Sequence, residues 1–409
     1  MIKRIRLKKF KNFEDVELIL GPLTVLIGSN AAGKSNVQDA FRFLKGIGQR
    51  YTLAEIIGER YEGGLRQWPG IRGGVREIAF SQQKNFEISI EFDADGRRLK
   101  YLIGVEAGYG NGRPTILQES LMVEGMIYFE FYANKRHGSI IRFKNDSKAK
   151  ETLLNKQQPI LTQILEGQAR LGIEQNEDLQ SLARETTSIL NSMRFIDLDP
   201  RAMRRPSFPG QTVLGDQGEN LSSVLQAIWE EPQQKETFIE WVRELAPMDA
   251  SDFEFFEDQS GRISLTLVEK NGQRTSIHSA SDGTLRFLGM VAALFSPHRE
   301  QLYVFDEIDT GIHPARLYLL LQLLEWRAFQ GGVQILGMTH SPQILRLLSE
   351  EALEYVSLIY RLTDVPQAKI QRIMSIPDIH RILETQDVAR LHESGWFEDV
   401  MYFDAGSPE

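Results

Sequence analysis

Cysteine is absent from all 409 residues, which excludes disulfides, thiolate metal sites and a cysteine nucleophile together. Histidine is scarce: the seven present are scattered, and none forms an HExxH or similar pair at ligand spacing. Structural zinc is therefore not expected. No apolar run reaches the roughly 18 residues that a membrane helix needs. The first ten residues, MIKRIRLKKF, alternate charged and apolar side chains where a secretory signal has an apolar block. A soluble, cytoplasmic chain with no membrane partner is the expectation. An excess of positive charge is also lacking. With a net charge of −9, any contact with nucleic acid must come from a local basic patch. Repeats and low-complexity tracts are missing too, so the length points to one large domain or two intertwined ones.

Residues 2–10 alternate, and the alternation resumes in VELIL and TVLIG, which predicts three strands. Helical spacing follows from Asn36 to about Gly46, with Val37, Ala40, Phe41, Phe43 and Leu44 on one side. From about Phe86 to Phe143 the runs FEISIEF, LKYLIGVE, LQESLMVEG, MIYFEFY and SIIRF, separated by glycine turns, predict an antiparallel sheet. Strand signal then gives way to helical spacing, interrupted by RAMRRPSFPG. After a predicted hairpin, FEFFEDQSGRISLTLVEKNGQR, helix and strand alternate: Thr284 to Phe295, LYVFDE, Pro314 to Phe329, VQILGM and Pro342 to Leu348. Such alternation marks parallel βαβ units. The expected organisation is 1–144 as the first part of an α/β nucleotide head with an antiparallel β subdomain, and 145–250 as a helical insertion. The second part of the head follows at 251–365, and 366–409 is a carboxy-terminal extension.

Four motifs carry chemistry. GSNAAGKS, from Gly28 to Ser35, fits G-x-x-x-x-G-K-[ST]: small residues let backbone N–H groups curl around phosphate oxygens while the next helix points its positive end at them. Lys34 would reach the β and γ phosphates of ATP, and Ser35 would ligate Mg2+. LYVFDE is an apolar strand ending in Asp306, assigned to the metal shell, and Glu307, assigned to the attacking water. An apolar strand ending in acids is common by itself; the upstream phosphate loop gives it meaning. SASDGT offers the Ser281 hydroxyl and the Gly283 N–H at a helix start, which suits an anion or a plain helix cap. VQILGMTHSPQIL delivers Thr339 and His340 to the edge of the sheet, where an imidazole would contact the γ-phosphate or the water.

In this order the motifs resemble the ATP-binding-cassette ATPases of the RecF, SMC and overcoming-lysogenization-defect group, often classed as AAA-family ATPases. FKNF, from Phe10 to Phe13, looks like their amino-terminal element, GSNAAGKSN like Walker A, and SASDGT like the signature. VFDEIDTGIHP resembles Walker B with its D-loop, and MTHSPQIL resembles the switch-histidine segment; GDQGENLSSVL is similar to a segment of stand-alone members. The resemblance implies a P-loop ATPase head, a mixed sheet with flanking helices plus an antiparallel β subdomain and a helical insertion. It implies that Lys11, Gly28, Asn30, Gly33, Lys34, Ser35 and Asn36 surround ATP and Mg2+. It also implies that Ser281 and Gly283 reach the γ-phosphate held by a second subunit in a head-to-tail, ATP-dependent homodimer or higher oligomer. Ala280, Asp282 and His313 depart from the commonest family residues. A Q-loop glutamine is implied as well; Gln67, Gln82 and Gln83 are candidates, Gln67 favoured, against a solvated loop residue.

Two basic clusters, Lys3 to Lys11 and Arg194, Arg201, Arg204 and Arg205, are candidates for DNA contact or for ordinary ion-paired surface. No sustained heptads occur, and the 69 residues after His340 are too few for a Toprim domain. The expected function is an ATPase that regulates a nuclease or other DNA-acting effector, in anti-phage defence or repair. The rivals are a transporter subunit, disfavoured by chain length and by SDGT in place of LSGGQ, and a slow-hydrolysing ATP sensor.

Overall fold

The computed structural model describes residues 1–110, 112–133, 139–144, 150–152, 154–167, 177–245, 250–296, 301–330, 332–361, 365–383, 386–393 and 396. The chain divides into two compact units, each gathered from three segments: residues 1–21, 28–193 and 357–376 form the first, and 22–27, 194–356 and 377–409 the second. The segment expected as a helical insertion, 145–250, is thus shared between the units, and it contains strands as well as helices. The acidic pairs near the carboxyl end, in WFEDVMYFDAG, lie outside the described residues apart from Trp396.

The first unit is built on an eight-stranded sheet. Strands β1 (Ile2–Phe10) and β2 (Phe13–Ile19) sit beside β6 (Asn85–Ala94), β7 (Arg97–Glu106), β8 (Thr115–Val123), β9 (Met126–Ala133), β10 (Ser139–Phe143) and β11 (Lys150–Thr152). The order is β11-β10-β9-β8-β7-β6-β1-β2, and pairings such as Leu7 with Ile88 and Ile90 with Tyr101 are antiparallel. Alternation produces this: Ile5, Leu7, Ile88, Ile90 and Phe92 are buried, while Arg4 and Arg6 face solvent. A small hairpin, β4 (Arg60–Glu62) with β5 (Leu65–Trp68), and an antiparallel ribbon, β18 (Val356–Arg361) with β19 (Ala368–Arg372), complete its strands. Helix α1 (Lys34–Gly48) buries Val37, Ala40, Phe41 and Leu44 at i, i+3, i+4 and i+7. Its Phe43 ring meets Phe86 edge-on at 5.4 Å. The unit's other helices are α2 (Leu53–Ile57), α3 (Gly74–Glu77), α4 (Ile160–Leu165) and α5 (Glu177–Asn191).

The second unit centres on β12 (Met193–Ile196), β16 (Leu302–Phe305), β17 (Gln334–Thr339) and β3 (Leu23–Ile27), neighbours in that order. Strand β16 runs parallel to β17, with Phe305 opposite Gly337, and β17 runs parallel to β3, with Thr339 opposite Ile27. Every residue of β3, β16 and β17 is buried, as continuous apolar runs in a sheet covered on both faces require. Helices α6 (Pro200–Met203), α7 (Leu221–Glu230), α8 (Pro232–Leu245), α9 (Asp282–Phe295) and α10 (Pro314–Gln330) accompany a small sheet of β13 (Ala250–Glu257), β14 (Ile263–Glu269) and β15 (Arg274–Ser276). Phe238 of α8 joins them, its ring 5.7 Å from Phe253 and 5.8 Å from Phe295. Short helices α11 (Glu350–Leu353), α12 (Ile379–Leu383) and α13 (Val388–Glu393) follow. The helix expected at Pro342 to Leu348 is a 3-10 segment ending at Arg346.

One polar contact holds α4 in place. Glu119 of β8 is fully buried and accepts hydrogen bonds from the Ile160 N–H at 2.7 Å, the Leu161 N–H at 2.8 Å and the Tyr101 hydroxyl at 2.9 Å. Its carboxylate thus caps a helix whose own N-cap, Pro159, supplies no side-chain bond. Burial lifts the carboxyl from 4.5 to about 7, outweighing the three donors. Glu119→Ala would leave those donors without an acceptor and is expected to cost about 3–5 kcal/mol of stability in denaturant unfolding. Because the folded value is the higher one, the Glu119 contribution is fully present below about 4.5 and lost as pH rises through about 7. The difference in Tm between wild type and Glu119→Gln should therefore change across that window and stay constant above it.

Candidate functional site

In the first unit, Gly28–Gly33 forms a loop that opens α1. Gly33 has φ +126°, and a side chain on Gly28 would sit 2.4 Å from the Ile359 carbonyl oxygen, so both positions demand glycine. Ala31 also turns left-handed, at φ +65°. No side chain caps α1 and no acidic residue stands in its first turn, so the positive end of the helix has no competing carboxylate beside it. The buried Lys34 ammonium donates to the carbonyls of Gly28 at 2.6 Å and Ser29 at 3.2 Å. Asn30 is exposed and Ser35 half-buried beside it.

Asn12 is the residue that sequence reasoning passed over. Its Nδ2 donates to Ala32 O at 3.0 Å, and its Oδ1 accepts from Asn36 Nδ2 at 2.8 Å, so it braces the loop from β1's end. The FKNF segment was the available signal, but attention fell on Lys11. The Lys11 ammonium goes instead to the Arg72 carbonyl and to Asp39, 3.4 Å away. Asp39 is fully buried and also holds Arg72 at 3.1 Å and Arg42 at 3.9 Å. Burial pushes the Lys11 ammonium below its ordinary pKa, with Asp39 opposing. Gln67 lies exposed on β5, and Gln82 and Gln83 are exposed as well.

In the second unit, parallel β16 and β17 deliver Asp306, Glu307 and His340 to one sheet edge, and β3 runs from that edge into Gly28. The Asp306 N–H donates to Ile196 O at 3.1 Å. Glu307 is exposed with φ +51°, a left-handed conformation rare outside glycine that concentrates at functional sites. Its Oε2 accepts from the Thr310 hydroxyl at 3.0 Å. Thr339 donates to Asp309 Oδ1 at 2.6 Å and accepts from the Ser341 N–H at 2.9 Å, fastening the loop after β16 to the end of β17. His340, next in the chain, is exposed.

Ser281 is the N-cap of α9: its hydroxyl accepts from the Thr284 N–H at 3.1 Å and lies 2.8 Å from the Thr284 hydroxyl. Arg204 holds this turn, donating to His278 O at 3.3 Å, Ala280 O at 2.8 Å and Asp282 Oδ1 at 2.7 Å. A guanidinium some 75 residues upstream is thus the clamp of the signature segment, which no local pattern announces. Arg194 likewise donates to Leu214 O. Two of the four arginines proposed for DNA contact therefore have internal partners. On β1, Lys3 pairs with Asp93, Arg4 with Glu17 and Glu91, Arg6 with Asp15 and Lys8 with Glu87, which cancels much of the expected positive face.

Among the described residues no group of three or more His, Asp or Glu could hold a metal unaided.

Two substitutions test the signature turn. A side chain at Gly283 would lie 2.1 Å from Gly311 O, so Gly283→Ala should displace the loop after β16 and lower stability by about 1–3 kcal/mol. Arg204→Ala should loosen residues 278–282, read as faster amide exchange there with the remainder unchanged.

A family described as "AAA domain, putative AbiEii toxin, Type IV TA system" matches residues 23–346. An OLD nuclease of Thermus scotoductus is 44% identical over 96 residues, 23% of this chain and 15% of that protein. The DNA replication and repair protein RecF of Lactococcus lactis is 28% identical over 100 residues, 24% of this chain and 26% of that protein. These matches span only a minor part of the relatives' own lengths. An SMC head bound to the C-terminal winged-helix domain of ScpA superposes with a TM-score of 0.52 at 14% identity, covering 90% of this chain and 96% of the other. The fold is accordingly that of an SMC-like, ABC-type ATPase head with mixed sheets and helices, and the chain belongs to the AAA-domain family, within the RecF, SMC and OLD-like group of ABC-type ATPases.

Proposed function

We propose that the chain binds and hydrolyses ATP with Mg2+, closing head-to-tail on a second copy, and thereby switches a DNA-acting effector. The observation that carries this reading is the pairing of an uncapped helix start behind a glycine loop with a strained, exposed glutamate at the end of a buried parallel strand. Gly28 to Asn36 would cradle the phosphates, with Lys34 leaving its loop carbonyls for the β and γ oxygens, and Ser35 and Asp306 would hold the metal. Mg2+ supplies charge neutralisation of the phosphate oxygens. Glu307 would orient and deprotonate water, His340 would contact the γ-phosphate, and Ser281 and Gly283 of a second copy would complete the charge stabilisation. Lys11 would touch phosphate only on leaving Asp39 and the Arg72 carbonyl, and Gln67 would be the Q-loop glutamine.

The local similarity to an OLD nuclease and to a DNA replication and repair protein supports DNA as a partner, a nuclease or similar protein as the effector, and phage defence or repair as the setting. A second reading, a slow-turnover ATP sensor, is favoured by one feature. The Glu307 carboxylate and the Ser281 hydroxyl both have intrachain partners that must be released before catalysis.

Glu307→Gln is expected to lower hydrolysis roughly 100-fold while retaining ATP binding, and to accumulate an ATP-bound dimer in light scattering. Undiminished turnover would remove Glu307 from the role. Lys34→Ala is expected to abolish ATP binding at the glycine loop and, with it, the dimer. A wild-type turnover no faster than that of Glu307→Gln, with dimerisation intact, would favour the sensor.

A further inference from the structure

Where the end of α1 meets α5, the first unit encloses a pocket of about 500 Å³ that plays no part in the proposed ATPase chemistry. Gln49, Arg50, Tyr51, Arg184, Ser188 and Asn191 line it, and no carboxylate does. In a chain of net charge −9, two guanidiniums facing one concavity without an acid is an uneven local charge. Arg50 stands in the left-handed region, φ +62°, and its guanidinium has no hydrogen-bond or ion-pair partner among the described residues. Arg184 makes only long contacts to Gln180, at 3.2 and 3.5 Å, one helical turn away. Gln49 Oε1 is buried and receives no donor. That oxygen is closed off from solvent, so the groups the pocket offers a ligand are the two guanidiniums, and what it lacks is an anion.

The negative end of α1 does not compete for these groups. Its last carbonyls, of Lys45, Gly46 and Ile47, already accept from the N–H groups of Gln49, Tyr51 and Arg50 at 2.9, 3.1 and 2.9 Å. We propose that this pocket binds a small phosphate-bearing ligand, with Arg50 and Arg184 on the phosphate. Planar guanidiniums match phosphate oxygens two at a time. The volume lies within the range of small-molecule sites and suits a mononucleotide. Helix α1 separates this pocket from the phosphate loop by its whole length, 15 residues or roughly 22 Å.

Titration calorimetry on Lys34→Ala, which removes nucleotide binding at the loop, tests the proposal with inorganic phosphate, AMP and a dinucleotide with and without a 5′-phosphate. At least one phosphate probe is expected to bind, and Arg50→Glu with Arg184→Glu in the same background is expected to weaken it at least tenfold. AMP binding identifies a free nucleotide; binding of the 5′-phosphorylated dinucleotide alone identifies a nucleic-acid end. No binding by any probe, or equal binding to both proteins, overturns the proposal. Both arginines are exposed, and thermal unfolding checks the fold. If the double change fails to fold, Ser188→Glu places a carboxylate at the same mouth and must weaken the probe likewise.

Discussion

The parallel register of β16, β17 and β3 is the constraint on which the candidate site depends. With Phe305 opposite Gly337 and Thr339 opposite Ile27, three strands end at one edge, and each releases a functional segment there. Parallel strands buried on both faces can hold almost no polar side chain, so the chemistry has to begin at the first residue past the strand. Asp306 and His340 obey this, and Glu307 comes one residue later.

That constraint also explains why much of the fold was readable. Alternation in β1, β2 and β6 to β10, the i, i+3, i+4 pattern of α1, and the apolar runs of β16 and β17 are local signals that tertiary packing did not override. What stayed hidden depends on distant partners. β12 joins the central sheet beside β16 from within a stretch of helical composition. Asn12 and Arg204 act through hydrogen bonds to segments 20 to 78 residues away, and hydrogen-bonding side chains carry no period. Lys11 is the instructive case: the family resemblance implied a contact with phosphate, and in this structure the buried Asp39, concealed inside an amphipathic helix pattern, pairs with it.

The same accounting bears on nucleic-acid contact. The ion pairs on β1 are largely exposed, and such pairs are worth about 0–1 kcal/mol each. A phosphate backbone bringing several charges at once can displace them, but each displaced acid remains nearby and repels it. Any DNA contact through β1 would therefore be weak and strongly dependent on salt.

The intrachain contacts at the candidate site have a similar scale. Lys34 on the loop carbonyls, Glu307 on Thr310 and Ser281 on Thr284 are hydrogen bonds of about 1 kcal/mol net, somewhat more where a charge is involved. A triphosphate bound as proposed would offer Lys34 and Ser281 charge-assisted partners roughly twice as strong. The contacts thus hold the side chains near their working positions without locking them. The left-handed backbone at Glu307, costing about 1 kcal/mol or more, adds to the same balance. It keeps the carboxylate outside the strand, exposed to water, where a side chain in extended conformation would have been carried back toward the apolar sheet.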